Sequence, residues 1–445
     1  VGSAGRRLFG TDGIRGVANR DLTPDLALRL GRGWGLKLGA GSRVLIGRDT
    51  RRSGPMLESA LAAGLASSGV EALLAGVLPT PAVAEQTAAL SLSGGAVISA
   101  SHNPFPDNGI KLFGPDGFKL PDEDEAEIED LMTGAADAPE GEGVGTVSPG
   151  PAARQSYVDS LLERLPLDLS GFDLVIDCAN GATVETAPEV LRHCGARVTV
   201  IGGEPDGLNI NEGCGSTDLG ALQRAVREGG HDLGLAFDGD GDRVLAVDAQ
   251  GAVVDGDQIL ALCALRLKDL GRLADDTVVT TTMTNLGFRR AMADAGVEVR
   301  WTDVGDRYVL REMRQNGFVI GGEQSGHLIN LAHGPTGDGL AAGLQLISAL
   351  IDRGQSLAEA GKVMTRSPQK LVNVRVASKH DLPNAAPVWE LVERFEAELG
   401  DEGRVVVRPS GTEPLVRVMV EAPTELECSE WCDSIAAAAK NALGG

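Results

Sequence analysis

The chain has 445 residues, 42% hydrophobic and only 3% aromatic, with a formal net charge of −23. This length exceeds one hydrophobic core and predicts three or four domains of about 100–150 residues, their cores built from Ala, Leu and Val. The acidity argues against a nucleic-acid partner and an anionic membrane surface, no run nears the roughly 18 apolar residues of a membrane span, and no charged-then-apolar leader opens the chain, so a cytoplasmic protein is expected. Six cysteines, at 178, 194, 214, 263, 428 and 432, lack zinc-like spacing and read as reduced thiols.

Residues 9–19 read Phe-Gly-Thr-Asp-Gly-Ile-Arg-Gly-Val-Ala-Asn. Three glycines in seven residues frame Thr11, Asp12 and Arg15. Such a loop suits an anion, with Arg15 as its positive charge; an ordinary turn is the alternative. Thr23-Pro24 opens a helix to about Leu38. A strand at 44–47, a helix at 55–68 and a strand at 72–75 follow in a βαβ rhythm. The buried run Ala96-Val97-Ile98 then ends abruptly in Ser99, Ser101, His102 and Asn103, and Pro104 and Pro106 forbid further sheet. A strand ending in a rigid polar loop is where α/β proteins hold reacting groups, and Ser101 beside His102 suggests a hydroxyl that carries something. Ser99 is the alternative carrier. Lys111 lies on a strand leaving this loop.

Residues 134–153 are rich in Gly, Ala, Pro and Glu and read as a linker or surface loop. After a helix at 153–165, strands at 174–177 and 198–201 flank a helix near 188–193. The apolar strand 233–237 runs into Asp238-Gly-Asp-Gly-Asp-Arg243. Alternate carboxylates in a Gly-rich loop can converge on one hard cation; an acidic solvated turn is the alternative. A calcium EF-hand fails here, because the sixth position is Arg243 and the twelfth Ala249, and a strand precedes the loop. Asp238, Asp240 and Asp242 with a phosphate oxygen would suit Mg²⁺, and Arg243 would pair with a phosphate.

A third unit starts near Asp255. Strands at 277–282 and 297–301 alternate with a helix at 286–295. The segment Thr302-Asp-Val304-Gly305-Asp306-Arg-Tyr308 then leads into a helix to about Asn316. The strand 318–322 ends in Glu323-Gln-Ser325-Gly-His327. Taken as an extended loop, Glu323 and Ser325 face one side and suit vicinal sugar hydroxyls. His327 reads as a ligand, an acid/base group or a structural imidazole. A helix at 338–352 closes the unit. From about 366 the style changes to a small α+β domain, with strands at 371–376, 404–407 and 415–421 and helices at 388–399 and from a capping box at Thr424. Its loop Arg408-Pro-Ser410-Gly411-Thr412, with Arg417 on the next strand, offers a phosphate hydroxyls, backbone N–H groups and guanidinium; a plain turn is the alternative. Together these are the parts of phosphoryl transfer.

Five motifs in order carry a resemblance over the whole chain: residues 9–16, Ile98-Ser-Ala-Ser-His-Asn-Pro104, 238–243, Gly322-Glu-Gln-Ser-Gly-His327 and 408–414. The sequence resembles the α-D-phosphohexomutases, and the forms of residues 9–15 and 304–309 resemble the branch that works on glucosamine phosphates. The resemblance implies three related α/β domains with mixed sheets and a smaller C-terminal α+β domain around a central cleft, at 1–150, 151–254, 255–366 and 367–445. It implies that Ser101 is a phosphoserine, with Mg²⁺ held by Asp238, Asp240, Asp242 and a phosphoserine oxygen. The phosphoryl group would pass to O1 of glucosamine 6-phosphate, and a bound 1,6-bisphosphate would return its 6-phosphate to Ser101. The resemblance also implies that the product would feed UDP-N-acetylglucosamine and cell-wall synthesis. Arg15, Lys111, His102 and His327 match catalytic positions, and Arg243, Val304, Gly305, Asp306, Glu323 and Ser325 substrate-binding ones. Arg408, Ser410, Gly411, Thr412 and Arg417 would hold the idle phosphate, and a homodimer is a family-level expectation. The rivals are a phosphoglucomutase or phosphomannomutase activity, a regulator that has lost catalysis, and a serine hydrolase. The last lacks a Gly-x-Ser-x-Gly elbow, and on an extended strand end Ser101 and His102 would point apart.

Overall fold

A computed structural model describes residues 8–10, 12–134, 138–150, 152–410 and 414–444. The chain forms two compact units: Val1–Thr282 with Glu298–Val363, and Met283–Val297 with Met364–Gly445.

The first unit holds three mixed sheets built on one plan. In the first, Arg43–Arg48 lies between parallel neighbours Glu71–Val77 and Gly94–Ile98, and Asp107–Phe113 returns antiparallel to Gly94–Ile98. In the second, Asp173–Asp177 lies between Arg197–Ile201 and Leu233–Phe237, and Val244–Asp248 returns antiparallel. In the third, Thr277–Thr281 lies between Glu298–Thr302 and Ile320–Gly322, and Leu328–Asn330 returns antiparallel. Each time the third strand of the plan enters a reversal, and that reversal carries a polar motif: 99–106, 238–243 or 323–327. The third strands are buried along their length, so the first polar residue marks the sheet edge.

Local chemistry explains the helices that fix the first sheet. Thr23 caps Leu26 N at 3.2 Å, and Pro24 takes the first helical position of Pro24–Leu38. A Cβ at Gly31 would lie 2.2 Å from Leu61 O, and one at Gly64 2.1 Å from Leu28 O. The two glycines therefore let this helix and Gly54–Ser67 touch backbone to backbone. Leu30, Trp34, Leu57, Leu61 and Leu65 then pack on Val44, Ile46, Ala96 and Ile98, an aliphatic core in keeping with the scarcity of aromatic residues.

Several elements escape the sequence reading. The stretch read as a linker contains the edge strand Val147–Pro149, parallel to Glu71–Val77; three residues among Gly and Pro carry no periodicity. Helix Thr80–Ala89 is buried on nearly all sides and so lacks an amphipathic stripe. Asp255 opens a helix, Gly256–Asp269, through a capping box with Gln258. In the second unit, Gln369–Arg375, Leu415–Glu421 and Arg404–Pro409 form an antiparallel sheet. Ala386–Leu399 and Glu425–Leu443 share its core through Val388, Phe395, Val418, Cys432 and Ile435. Helix Leu286–Asp294 belongs to this unit, its Leu286 N donating to Glu421. All six cysteines are free and buried, and no described helix is long and apolar enough to cross a membrane.

Candidate active site

Ser101 sits where the first sheet reverses, with φ of +51°, a region uncommon for a residue with a side chain. It is not extended, and this overturns the expectation that Ser101 and His102 point apart: Ser101 Oγ lies 3.2 Å from His102 Nδ1. The same hydroxyl donates to Asp238 Oδ2 at 2.5 Å. Ser99, the alternative carrier, is committed elsewhere. Its Oγ accepts from Ser101 N at 2.9 Å and donates to Asp49 Oδ2 at 2.6 Å.

The second reversal brings Asp238, Asp240 and Asp242 together, all buried, each offering an oxygen within 4.8 Å of the others. Asp240 Oδ1 and Asp242 Oδ1 are buried with no hydrogen-bond partner among the described residues. Burial, then Asp242 and Asp240, pushes the Asp238 carboxyl well above the usual range. Three converging carboxylates with orphaned oxygens fit a divalent cation, whose charge would relieve that repulsion.

Around the triad stands a cage of ion pairs. Lys111 Nζ is 2.8 Å from Asp240 Oδ2, 3.6 Å from Asp242 Oδ2 and 3.4 Å from Asp12 Oδ2. Burial alone would favour its neutral form, but these carboxylates outweigh burial and raise its pKa, so it stays charged. Thr80 Oγ1 also donates to Asp240, at 2.7 Å. Asp12 pairs with Arg15 and, at 2.5 Å, with Lys119, whose Nζ is also 2.6 Å from Asp306 Oδ2. Arg243 Nε lies 3.7 Å from Asp242, and its backbone N donates to Asp238. Arg15 Nε and Arg243 Nε are buried without hydrogen-bond partners among the described residues.

The third reversal supplies His327, with Nδ1 3.5 Å from Asp242 and Nε2 3.7 Å from Asp306. Burial pulls its pKa down, but the two carboxylates prevail and raise it. His102 goes the other way: burial, then Arg243 and Arg15, draw it down to about 4. Their surroundings thus push the two imidazoles in opposite directions, His102 toward its neutral form and His327 toward its charged form. The 323–327 segment is a tight turn and not extended, because Gly326, at φ +91°, donates its N–H to Glu323 O. Glu323 Oε1 accepts from Gly305 N at 3.1 Å, tying this turn to the segment holding Val304 and Asp306. Ser325 Oγ is buried and has no hydrogen-bond partner among the described residues.

The structure therefore gathers Ser101, His102, the three aspartates, Arg15, Lys111, Arg243, Asp306, Glu323 and His327 in the first unit. Arg408, Ser410 and Arg417 belong to the second, and Gly411 and Thr412, like Thr11, lie outside the described residues. Arg408 and Arg417 are directly opposed in the sheet register. Two guanidinium groups on one face repel unless an anion lies between them. Sequence reasoning missed Lys119, Thr80, Arg51 and Asn211. Only Arg51 left a signal, two residues after Asp49 at a strand end.

Comparison with known proteins identifies the family. Residues 6–138, 155–251, 255–367 and 371–438 match, in order, phosphoglucomutase/phosphomannomutase alpha/beta/alpha domains I, II and III and the C-terminal domain. The chain belongs to this family. A phosphoglucosamine mutase of Saccharopolyspora erythraea is 56% identical over 431 residues, 94% of this chain and 96% of that one. Another, of Geobacillus kaustophilus, is 51% identical over 445 residues, 98% and 99% of the two chains. A putative phosphomannomutase of Thermus thermophilus aligns with TM-score 0.76 at 26% identity, over 97% of this chain and 98% of that one. An N-acetylphosphoglucosamine mutase of Aspergillus fumigatus, solved with GlcNAc-6P and magnesium, aligns with TM-score 0.69 at 20% identity over 98% and 96%; that likeness is one of fold.

Proposed function

We propose that the chain interconverts glucosamine 6-phosphate and glucosamine 1-phosphate, with Ser101 as the phosphoryl carrier. Near-full-length identity of about half to phosphoglucosamine mutases supports the substrate. The observation that carries the chemistry is the Ser101 hydroxyl donating to Asp238 of the buried aspartate triad.

In the proposed reaction Ser101 begins phosphorylated. The sugar O1 attacks phosphorus, the P–Oγ bond of Ser101 breaks, and the proton lost by O1 ends on Ser101 Oγ, which gives it up again in the second transfer. The bound 1,6-bisphosphate then presents its other end. Ser101 Oγ attacks the 6-phosphoryl group, the P–O6 bond breaks and O6 takes up a proton, so phosphoryl groups and protons balance over the cycle. Asp238, Asp240 and Asp242 would hold Mg²⁺, which when bound supplies positive charge to the phosphoryl oxygens. Lys111, Arg15 and Arg243 add fixed charge there, and His102 and His327 are the two groups placed to move protons. Glu323 and Ser325, with Val304, Gly305 and Asp306, take the sugar. The idle phosphate is the task the sequence assigns to Arg408, Ser410 and Arg417, with Gly411 and Thr412.

Intact mass before and after phosphatase, with a substrate panel, tests this. The expected result is loss of one phosphoryl mass mapped to Ser101 and faster turnover of glucosamine 1-phosphate than of glucose 1-phosphate. Equal or better turnover of glucose 1-phosphate overturns the substrate; full activity in Ser101→Ala overturns the carrier.

A further inference from the structure

We propose that Arg51 and Asn211 are positioning residues for the transfer, clamping from two sides the backbone carbonyls of the loop that carries Ser101. The proposal rests on the reading of Ser101 as carrier.

Arg51 is fully buried. Its Nε donates to Asp49 at 2.8 Å. Nη1 donates to the carbonyls of Pro104 at 2.5 Å and Asp107 at 3.0 Å. Nη2 donates to those of Ser101 at 2.9 Å and Asn103 at 2.8 Å. All five guanidinium N–H groups are thus used, three on the loop and one on Asp107, where the next strand begins. Asn211, from the domain of the second sheet, donates through Nδ2 to the same Ser101 carbonyl at 2.9 Å and to that of Asn103 at 3.1 Å. The aspartate loop packs against this junction: a Cβ at Gly239 would lie 2.6 Å from Ser101 O and 2.8 Å from Asn211 Nδ2. With Ser99 Oγ on its N–H, Ser101 is pinned at both backbone polar groups.

A buried ion pair such as Arg51–Asp49 seldom repays its desolvation through stability alone. Here its donors hold Ser101 in a left-handed conformation that a serine does not favour. The carrier gains and loses about two negative charges in each cycle. A loop free to relax would move phosphorus with each change of charge, and a displacement of about 1 Å costs about 10²-fold in rate. Donors aimed at carbonyls are indifferent to the state of the hydroxyl. Loss of the clamp therefore lowers kcat with little effect on KM and lets water compete for the phosphoryl group.

The test uses full-length Asn211→Ala, Asn211→Asp and Arg51→Lys. It measures melting temperature, kcat and KM for glucosamine 1-phosphate, Ser101 occupancy by intact mass, and inorganic phosphate released per turnover. Asn211→Ala is expected to fold normally, keep KM within about twofold, lose about tenfold in kcat and release more phosphate per turnover. Asn211→Asp, which turns an oxygen toward two carbonyls, is expected to be worse than Ala. Arg51→Lys keeps the charge but not the fork and is expected to lose about 10²-fold in kcat. Wild-type kcat and phosphate release in the folded Asn211 variants overturn the proposal, whether or not Arg51→Lys folds. An unphosphorylated but active wild type is a separate result, which overturns the carrier reading itself.

Discussion

Lys119 Nζ lies 2.6 Å from Asp306 Oδ2, although 187 positions separate them in sequence. The same ammonium meets Asp12 at 2.5 Å. One lysine thus ties the Gly-rich loop near the N-terminus to the 304–309 segment. Burial lowers its pKa, but Asp12 and Asp306 outweigh burial and raise it.

Replacing it removes the cation these carboxylates share. Lys119→Met is expected to cost about 3 kcal/mol, the scale of breaking a buried pair from one side, and to lower kcat, while Lys119→Arg restores part of both. Denaturant unfolding and steady-state kinetics on the three proteins check this.

The two serines of the first reversal separate cleanly. Ser101→Ala is expected to lose phosphoserine and at least 10³-fold in turnover, on the scale of removing a nucleophile. Ser99→Ala is expected to keep the phosphoryl group and measurable turnover, losing only a support for Ser101 N. Phosphopeptide mapping of both variants, with activity, decides; a phosphoryl group retained in Ser101→Ala contradicts the assignment.

With three mutually repelling aspartates at one point, the fold itself is expected to be sensitive to a divalent cation. Mg²⁺ at a hundredfold excess over its Kd is expected to stabilise the protein by about 2.7 kcal/mol, and chelation to reverse the effect. Asp238→Asn reduces the repulsion and is expected to shrink the Mg²⁺-dependent rise in melting temperature. A shift unchanged in that variant places the cation elsewhere.

Glu125, in the first turn of Asp122–Leu131, is pushed by burial up to about 7, against the opposing pull of Arg307. Above its unfolded pKa of about 4.3 the native state keeps a proton that the unfolded chain releases. Its contribution to stability is present below that value and is lost as pH rises through about 7. Glu125→Gln is expected to flatten the decline, seen as a smaller drop in melting temperature between pH 5 and pH 8.

Much of the site was legible because its motifs fall where an apolar run meets a polar loop. Val97-Ile98, Leu235 to Phe237 and Ile320 announce buried strands, and the next residues are the ones the sheets present at their reversals. The Ser101–His102 contact was not legible, because it depends on one positive φ that no residue type at 101 demands. The sequence puts Glu323 and Ser325 on an extended loop, whereas Gly326 closes a turn there. Lys119 and Asn211 look like surface residues in sequence; their partners come from chain segments about a hundred residues or more away.

The amino-acid sequence by itself determined the domain classes, the three strand-to-loop edges and the chemical inventory, because strand burial and side-chain type are local properties. Tertiary structure alone decided which charges meet. The Asp12–Lys119–Asp306 bridge, the shared grip of Arg51 and Asn211, and the opposed protonation tendencies of His102 and His327 arise from packing three sheet reversals into one buried region. There the low dielectric makes each neighbour count.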